Sequence, residues 1–160
     1  MTALAVGDAE EMATVLGDPR LHEFIGGTPA TLDELRERYR RLAAGSGDPA
    51  ERWLNWTIRT TDAGTAVGTL QATISTASEG RSRAHVAWVI GVQWQGRGYA
   101  TEAACGLVEW LQIHGVVEIV AHIHPAHRAS AGVARRAGLG PTGERRDGET
   151  VWLLAVTPAR

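Results

Sequence analysis

Residues Arg83–Leu111 read RAHVAWVIGVQWQGRGYATEAACGLVEWL, and this stretch decides the fold. Its first part, Ala84–Ile90, is nearly continuous in apolar residues and rich in Val, Ile and Trp, which predicts a buried strand. A glycine-punctuated turn follows at Gln95–Ala100. Apolar residues then recur at three- and four-residue spacing, which predicts a helix with one buried face, and they are Ala103, Ala104, Leu107, Val108 and Leu111. Strand, glycine turn and helix in this order form the general layout of an anion site, because unpaired N–H groups at a helix start point at the anion.

Two helical segments are predicted before this stretch. The first spans residues 8–25 and is broken at Asp18-Pro19. The second follows Thr31, which is typical of an N-cap, and Glu34 three residues later completes a capping box. This second helix is amphipathic and ends at Gly45. The candidate core positions of the two segments are Met12, Val15, Leu16, Leu32, Leu35, Tyr39 and Leu42.

Three strands are predicted between the second helix and the glycine turn. Two extended runs, Leu54–Thr60 and Ala66–Ile74, flank the turn at Asp62-Ala63-Gly64 and predict a hairpin. A second polar turn, Thr76–Arg81, leads into Ala84–Ile90. Three consecutive strands joined by short turns predict an antiparallel meander.

The rest of the chain completes a mixed sheet. We predict a strand at Val116–His124, a short helix at Ser130–Ala137 capped by Gly138, and a hairpin around Asp147-Gly148. The expected fold class is therefore α+β, with a mixed, mostly antiparallel sheet of about six strands and about four helices. We expect one domain spanning residues 1–160.

Composition excludes several classes of function. The chain has 160 residues and a net charge of −2, so we expect neither nucleic acid nor an anionic membrane as a partner. No apolar run reaches the length of a membrane span and the opening residues do not resemble a signal peptide, so we expect a cytoplasmic protein. All sixteen basic residues are Arg, and the absence of Lys excludes Schiff-base chemistry and a P-loop. Cys105 is the only cysteine, which excludes an internal disulfide.

A dinucleotide site is the first alternative for the glycine turn. Gly96-x-Gly98 alone is a weak signal, and a dinucleotide fingerprint would need glycine or alanine where Thr101 stands. It would also need an acidic residue at the end of the next strand, whereas Glu118 lies near its start. The antiparallel meander before the turn does not match the parallel βαβ series of that fold. The Rossmann interpretation therefore fails on its context.

Two motifs resemble a known family. Gln95–Ala100 fits the Q/R-x-x-G-x-G/A signature of the GNAT superfamily of acyl-CoA N-acyltransferases, and the longer string WVIGVQWQGRGYATEA resembles the branch that contains the ribosomal-protein N-terminal acetyltransferases. His124–Ser130 followed by Val133–Leu139 resembles the second signature of that branch, with His127 where Asn is usual. The order of elements also matches, so the resemblance covers nearly the whole chain. Family members generally begin with a strand, and only Ala3–Val6 is available for it here.

The resemblance implies acetyl-CoA as the acyl donor. It implies that N–H groups from Gly96 to Thr101 cradle the pyrophosphate, that the pantetheine arm pairs with the end of the preceding strand, and that an N–H near Ile90 stabilises the oxyanion. Arg97, and Arg135 or Arg136, could add charge, or the helix arginines could be solvated surface. The implied donor-binding residues are Trp88, Val89, Ile90, Gln95, Gly96, Arg97, Gly98, Tyr99, Ala100, Thr101, His127, Ser130, Arg135 and Arg136.

The resemblance leaves the groups that carry the protons open. Direct acyl transfer in a ternary complex needs a base for the ammonium and an acid for the departing thiolate. His85 stands where relatives frequently have Glu, and His122 occupies another position used for a base; each could instead be a structural histidine. Ser130 is the candidate acid, or equally the N-cap of its helix. Ala134 stands where some relatives have Tyr, and a route without a protein base stays open.

A metal site is not expected. His122, His124 and His127 could meet a metal only if His127 folded back past Pro125, and no acidic residue lies near them in sequence.

The acceptor is expected to be an amine, carried by a protein N-terminus, an aminoglycoside-like drug or a small molecule. We expect its pocket between the early helices (Asp18–Leu42), the far face of the sheet and the final hairpin. The candidate lining tryptophans are Trp53, Trp56, Trp88, Trp94 and Trp152. The alternative from another class is a degenerate member that binds acyl-CoA as a sensor without turning it over. A homodimer is left open.

Overall fold

The computed structural model describes residues 1–76 and 81–156, which form a seven-stranded sheet with five α-helices. The strands are β1 (Thr2–Ala3), β2 (Glu51–Arg59), β3 (Ala66–Thr76), β4 (Ser82–Ile90), β5 (Glu118–Ile123), β6 (Gly140–Arg146) and β7 (Glu149–Ala155). The helices are α1 (Ala9–Val15), α2 (His22–Ile25), α3 (Leu32–Ala44), α4 (Tyr99–Ile113) and α5 (Arg128–Arg136).

The sheet has the order β1-β2-β3-β4-β5-β7-β6. Neighbouring strands are antiparallel except for β4 and β5, which are parallel. The mixed, mostly antiparallel α+β architecture expected from the sequence is therefore confirmed. Of the polar turn predicted at Thr76–Arg81, residues 77–80 lie outside the described part of the chain.

The first strand is short. β1 pairs with β2 at only two positions, Thr2 opposite Thr57 and Ala3 opposite Trp56. Val6, the predicted end of this strand, already lies in a 3-10 turn. The edge of β2 is therefore covered by β1 over only part of its length.

Helix α4 covers one face of the sheet. Its predicted apolar stripe is buried, from Val108 at 6% to Leu111 at 0% exposure. The stripe packs in one core cluster with residues that alternate along β3 and β4, which agrees with the two-residue period of a strand. These strand residues are Leu70, Ala72, Ile74, Ala84, Val86 and Ile90.

Helices α1 and α3 form a second, smaller cluster that includes Met12, Leu35 and Tyr39. The predicted capping box of α3 is confirmed: the Glu34 N–H donates to Thr31 Oγ1 at 3.3 Å, and Glu34 Oε2 accepts from the Thr31 N–H at 2.8 Å. The two helices pack next to the sheet face opposite α4.

A partly buried ion pair ties the start of α1 to the sheet. Asp8 accepts hydrogen bonds from the Ala5 N–H at 3.0 Å, from Thr57 Oγ1 at 2.7 Å and from Arg59 at 2.7 Å. Burial would raise the pKa of Asp8, but these hydrogen bonds and the Arg59 charge outweigh it, so the pKa lies below its usual value. Arg59 also pairs with Glu11 at 2.8 Å.

Of two predictions about the C-terminal half, one is confirmed and one is wrong. The hairpin turn is confirmed, with Asp147 and Gly148 both at positive φ (+52° and +84°), as a two-residue hairpin loop requires. The α5 boundary was wrong: the helix begins at Arg128, so Ser130 is its third residue and cannot be its N-cap. The chain turns directly after β5, where the His127 N–H donates to the His124 carbonyl at 2.8 Å.

None of the helices in the described ranges combines the length and apolar character that crossing a bilayer would require.

Candidate active site

The two parallel strands at the centre of the sheet diverge. β4 pairs with β5 only over Arg83–His85, opposite Glu118–Val120, although β4 continues to Ile90 and β5 to Ile123. The strands therefore enclose a wedge whose apex lies at His85 and whose mouth lies at Ile90. Here β4 exposes a backbone edge in the middle of a sheet.

That edge carries hydrogen-bonding groups of β4. The Gly91 N–H donates to the Val67 carbonyl of β3 at 2.9 Å, whereas the Ile90 carbonyl accepts from Gln95 Nε2 at 3.0 Å. Successive backbone groups of a strand point to opposite edges. The N–H groups of Trp88 and Ile90 therefore point toward the wedge.

The glycine turn lies just beyond the mouth. Gly96 (φ +74°) and Gly98 (φ +89°) both adopt the left-handed conformation that favours glycine. Gly98 is the N-cap of α4 and no side chain caps this end. Because the first intrahelical bond runs from the Glu102 N–H to the Gly98 carbonyl at 3.0 Å, the N–H groups of the preceding residues, Tyr99 to Thr101, have no helical partner.

The candidate arginines lie apart from one another. The Arg97 guanidinium lies in the turn itself, 5.2 Å from the centre of the Trp94 ring. Arg135 lies over the Trp152 ring of β7 at 5.5 Å, and Arg136 donates to the Gly132 carbonyl of its own helix at 3.3 Å. Arg97 therefore adds positive charge beside the helix start, whereas Arg135 points toward the last hairpin.

The two histidines predicted as bases lie together. His85 in β4 and His122 in β5 have ring centres 5.5 Å apart in an edge-to-face arrangement, at the apex of the wedge on the face opposite α4. Burial, followed by the charges of His122, Arg83 and Arg146, lowers the pKa of His85, and Glu51 partly opposes this. A histidine with a lowered pKa is neutral at physiological pH and can accept a proton.

The segment His124–Ser130, which resembles the second family signature, contacts α2 through aromatic rings. The His127 ring stacks on Phe24 with centres 4.3 Å apart and planes 18° apart, and His124 lies 5.5 Å from the same ring. Burial lowers the pKa of His127. Ser130 is half-buried and its hydroxyl makes no hydrogen bond within the described residues. Sequence reasoning missed Phe24, because nothing local in α2 predicts a contact about a hundred residues away.

A pocket of about 140 Å³ opens between α1, α2, α3 and the face of the sheet opposite α4. Val89 lines it, so it reaches the diverging part of β4. The walls from α2 and α3 fall within the predicted Asp18–Leu42 region, whereas Ala13 and Leu16 of the α1 segment lie outside it. The final hairpin contributes no lining residue among those described, contrary to expectation. The polar residues that line the pocket are His22, Thr28, Arg38, Tyr39, Asn55, Thr69 and Gln71.

The predicted tryptophan lining was wrong for this pocket. Trp152 is only 5% exposed and belongs to the α4 core, against which Trp88 and Trp94 also pack. Trp53 and Trp56 line an adjoining hollow beside β1, which shares Leu4, Leu42 and Asn55 with the pocket. The sequence did contain a signal for three lining residues that were missed. Asn55, Thr69 and Gln71 are polar and alternate with apolar residues along β2 and β3, which indicates that they face away from the α4 core.

The three histidines considered for a metal do not converge. His122 lies beside His85, while His124 and His127 flank Phe24. Within residues 1–76 and 81–156 no three His, Cys, Asp or Glu side chains are grouped as a metal would need.

A protein-family model matches most of this chain. The family model described as "Acetyltransferase (GNAT) domain" matches residues 1–140. A search of curated proteins by sequence finds no match.

Solved structures share the fold at low identity. An acetyltransferase of the GNAT family from Bacillus anthracis is 16% identical, with a TM-score of 0.75 over 96% of this chain and 92% of that one. The aminoglycoside acetyltransferase AAC(6')-Ib in complex with coenzyme A is 18% identical, with a TM-score of 0.76 over 96% and 92%. Spermidine N-acetyltransferase from Vibrio cholerae, in complex with CoA and spermine, is 18% identical, with a TM-score of 0.72 over 96% and 92%.

Proposed function

The chain belongs to the GNAT acetyltransferase family, and from that premise we propose that it moves an acetyl group from acetyl-CoA to a primary amine by direct attack in a ternary complex. The observation that carries the proposal is the wedge between β4 and β5, which opens beside the uncapped start of α4. One feature offers strand-like pairing, and the other offers N–H donors to an anion.

The residues present fit acetyl-CoA, which supplies an activated thioester when bound. The N–H groups of Tyr99, Ala100 and Thr101, at the positive end of the α4 dipole, suit a pyrophosphate, and Arg97 adds charge beside them. The edge of β4 at Trp88 and Ile90 suits the amides of a pantetheine arm. Gln95 supports this arrangement by joining the turn to the Ile90 carbonyl.

The remaining predicted donor contacts stay predictions. They are Val89, Gln95, Gly96, Gly98, His127, Ser130, Arg135 and Arg136. The contact of Arg135 with Trp152 favours Arg136 as the arginine of α5 that would meet a phosphate.

The proposed transfer uses three groups of this chain. The Ile90 N–H donates to the carbonyl oxygen as it gains negative charge. His85 is the proposed final acceptor of the amine's proton. Because His85 lies five residues from Ile90 along β4, roughly 17 Å at the rise of a strand, the proton would reach it through intervening water. A C–N bond forms and the C–S bond breaks. Ser130 donates a proton to the departing sulfur and regains one from solvent.

The resemblance to the ribosomal-protein N-terminal acetyltransferase branch rests on two motifs and stays a prediction. The single domain over residues 1–160, the cytoplasmic location and a homodimer are likewise predictions from the sequence.

Binding and turnover test the proposal separately. Acetyl-CoA and free CoA should raise the melting temperature, and a panel of amines should release free thiol from acetyl-CoA. Stabilisation without thiol release on any amine would instead support an acyl-CoA sensor, and no stabilisation by either compound would overturn the donor assignment.

Histidine variants test the base. We expect His85→Gln to lower kcat roughly a hundredfold or more, because general base catalysis typically contributes about 10²–10⁴-fold. His114→Gln is the matched control, since His114 stacks on Trp110 at the far end of α4. Equal activity of the two variants would remove His85 from the mechanism.

A further inference from the structure

The pocket between α1, α2, α3 and the sheet, which is the proposed acceptor site, has a lining that disfavours polycations. Most of its lining side chains are aliphatic, supplied by α1, α2, α3 and the end of β4. Among the described residues that line it, none is Asp or Glu. An acceptor with several ammonium groups would lose its hydration here without gaining a carboxylate partner, which is costly.

Most carboxylates around the pocket are already engaged in ion pairs. Glu10 pairs with Arg36 at 2.7 Å, and Asp18 pairs with Arg20 at 2.6 Å. Glu23 of α2 does not line the pocket, and its charge acts on His127. The flanking helices therefore leave little negative charge to attract a polyamine.

Among the described residues that line the pocket, Arg38 carries a permanent positive charge. It is exposed and forms no ion pair within residues 1–76 and 81–156. Its charge acts on the buried phenol of Tyr39, where it opposes the effect of burial on the pKa. The pocket thus pairs a mostly aliphatic lining with one cation that has no anionic partner in the described chain.

The volume limits the apolar group. The pocket measures about 140 Å³. An engineered apolar cavity of about 150 Å³ in another protein holds benzene. A phenyl ring or a branched aliphatic group of similar size therefore fits.

We propose that the acceptor is a free α-amino acid with a large apolar side chain. The side chain fills the pocket, the α-carboxylate pairs with Arg38, and the α-amine reaches the diverging part of β4 beside Val89. This inference rests on the proposed acetyl transfer and names its substrate class.

The alternatives lack one of the required features. A polyamine or aminoglycoside is polycationic and supplies neither the apolar group nor the carboxylate. A peptide with an apolar first residue supplies the side chain, but an amide replaces the carboxylate that Arg38 would bind.

A substrate series separates this inference from the proposed function. Thiol release from acetyl-CoA is measured with L-phenylalanine, L-leucine, glycine, L-leucinamide, a Leu-Ala dipeptide and spermidine. We expect phenylalanine and leucine to exceed all the others by roughly tenfold or more in kcat/KM. Turnover of spermidine or the dipeptide above the amino acids would overturn the inference and leave acetyl transfer standing. Absence of turnover on every amine would overturn both.

Charge variants test the carboxylate contact. A hydrogen-bonded ion pair of about 1.5–3 kcal/mol corresponds to a roughly ten- to 150-fold change in affinity. We expect Arg38→Gln to raise KM for leucine at least tenfold, with little effect on leucinamide and partial rescue by Arg38→Lys. Arg41→Gln is the matched control, because Arg41 lies exposed on the same helix outside the pocket. Equal KM values for leucine in the Arg38→Gln and Arg41→Gln variants would overturn the inference.

Discussion

Replacing Gly98 with alanine tests whether the start of α4 holds the acyl donor. Gly98 has φ +89°, and a β-carbon built there meets no atom within 4 Å. The cost to folding is therefore conformational, about 1–2 kcal/mol for an L-residue in the left-handed region. A chain that relieves this strain by changing φ also redirects the adjacent N–H groups.

The effect on the donor follows from those N–H groups. A hydrogen bond to a charged group contributes about 1.5–3 kcal/mol. Loss of one such bond to a phosphate weakens binding roughly ten- to 150-fold. We therefore expect Gly98→Ala to lower both the free energy of unfolding and the affinity for acetyl-CoA.

Gly115 provides a matched control at the other end of the same helix. It has φ +77° and an equally open β-carbon position. Gly115→Ala should cost a similar free energy of unfolding, measured by urea denaturation, yet leave the acetyl-CoA Kd, measured by calorimetry, within about twofold, since no N–H bond to the donor is lost. Equal Kd values for the two variants would refute the assignment of the donor to this helix start.

Three further predictions concern stability. The pKa values of His85 and His127 are lowered on folding, so the unfolded chain binds more protons than the folded chain up to about pH 6.5. The free energy of unfolding should therefore rise with pH as pH approaches 6.5 from below. Urea titrations at several pH values measure this slope, and a variant with both His85→Gln and His127→Gln should flatten it. Thr57 is fully buried and donates to Asp8 at 2.7 Å, so Thr57→Val should lower the free energy of unfolding by about 1–2 kcal/mol, with Thr57→Ser retaining the bond. The Tyr39 hydroxyl is buried without a partner in the described structure, and burial raises its pKa to about 12; Tyr39→Phe should raise stability by about 1 kcal/mol, and a loss measured by denaturation would reveal a partner for the hydroxyl.

The parts of the fold that depend on nearby residues were predictable. The capping box at Thr31 and Glu34 requires only residues three apart, and the structure has it. The hairpin at Asp147 and Gly148 requires only that two adjacent residues tolerate positive φ. Each follows from short-range backbone preferences.

The error at Ser130 has a local cause of a different kind. Serine is a favoured N-cap, and its position after Pro125 made the later helix start plausible. In the structure the chain turns through His124 and His127, so α5 gains two residues before Ser130. A side chain can suit a cap without being used as one.

The pairing of His85 with His122 was only half predictable. Each histidine was identified by its own strand, but their contact depends on β4 and β5 being parallel neighbours in a register that places His85 opposite Val120. Strand alternation then puts His122, two residues further on, on the same face. Register between distant strands is set by packing of the whole sheet.

Dependence on local sequence or on distant contacts also separates the donor side of the proposed site from its acceptor side. The donor side is proposed to consist mainly of backbone N–H groups, whose position depends on the local glycine turn at Gly96 and Gly98. The proposed acceptor side consists of side chains from helices and strands far apart in sequence, such as Arg38 and Val89, which line one pocket only in the folded chain. A change in a few such side chains alters the pocket without altering the fold. Structures 16–18% identical can therefore share the fold while their acceptors differ, and the acceptor of this chain must be inferred from its own pocket.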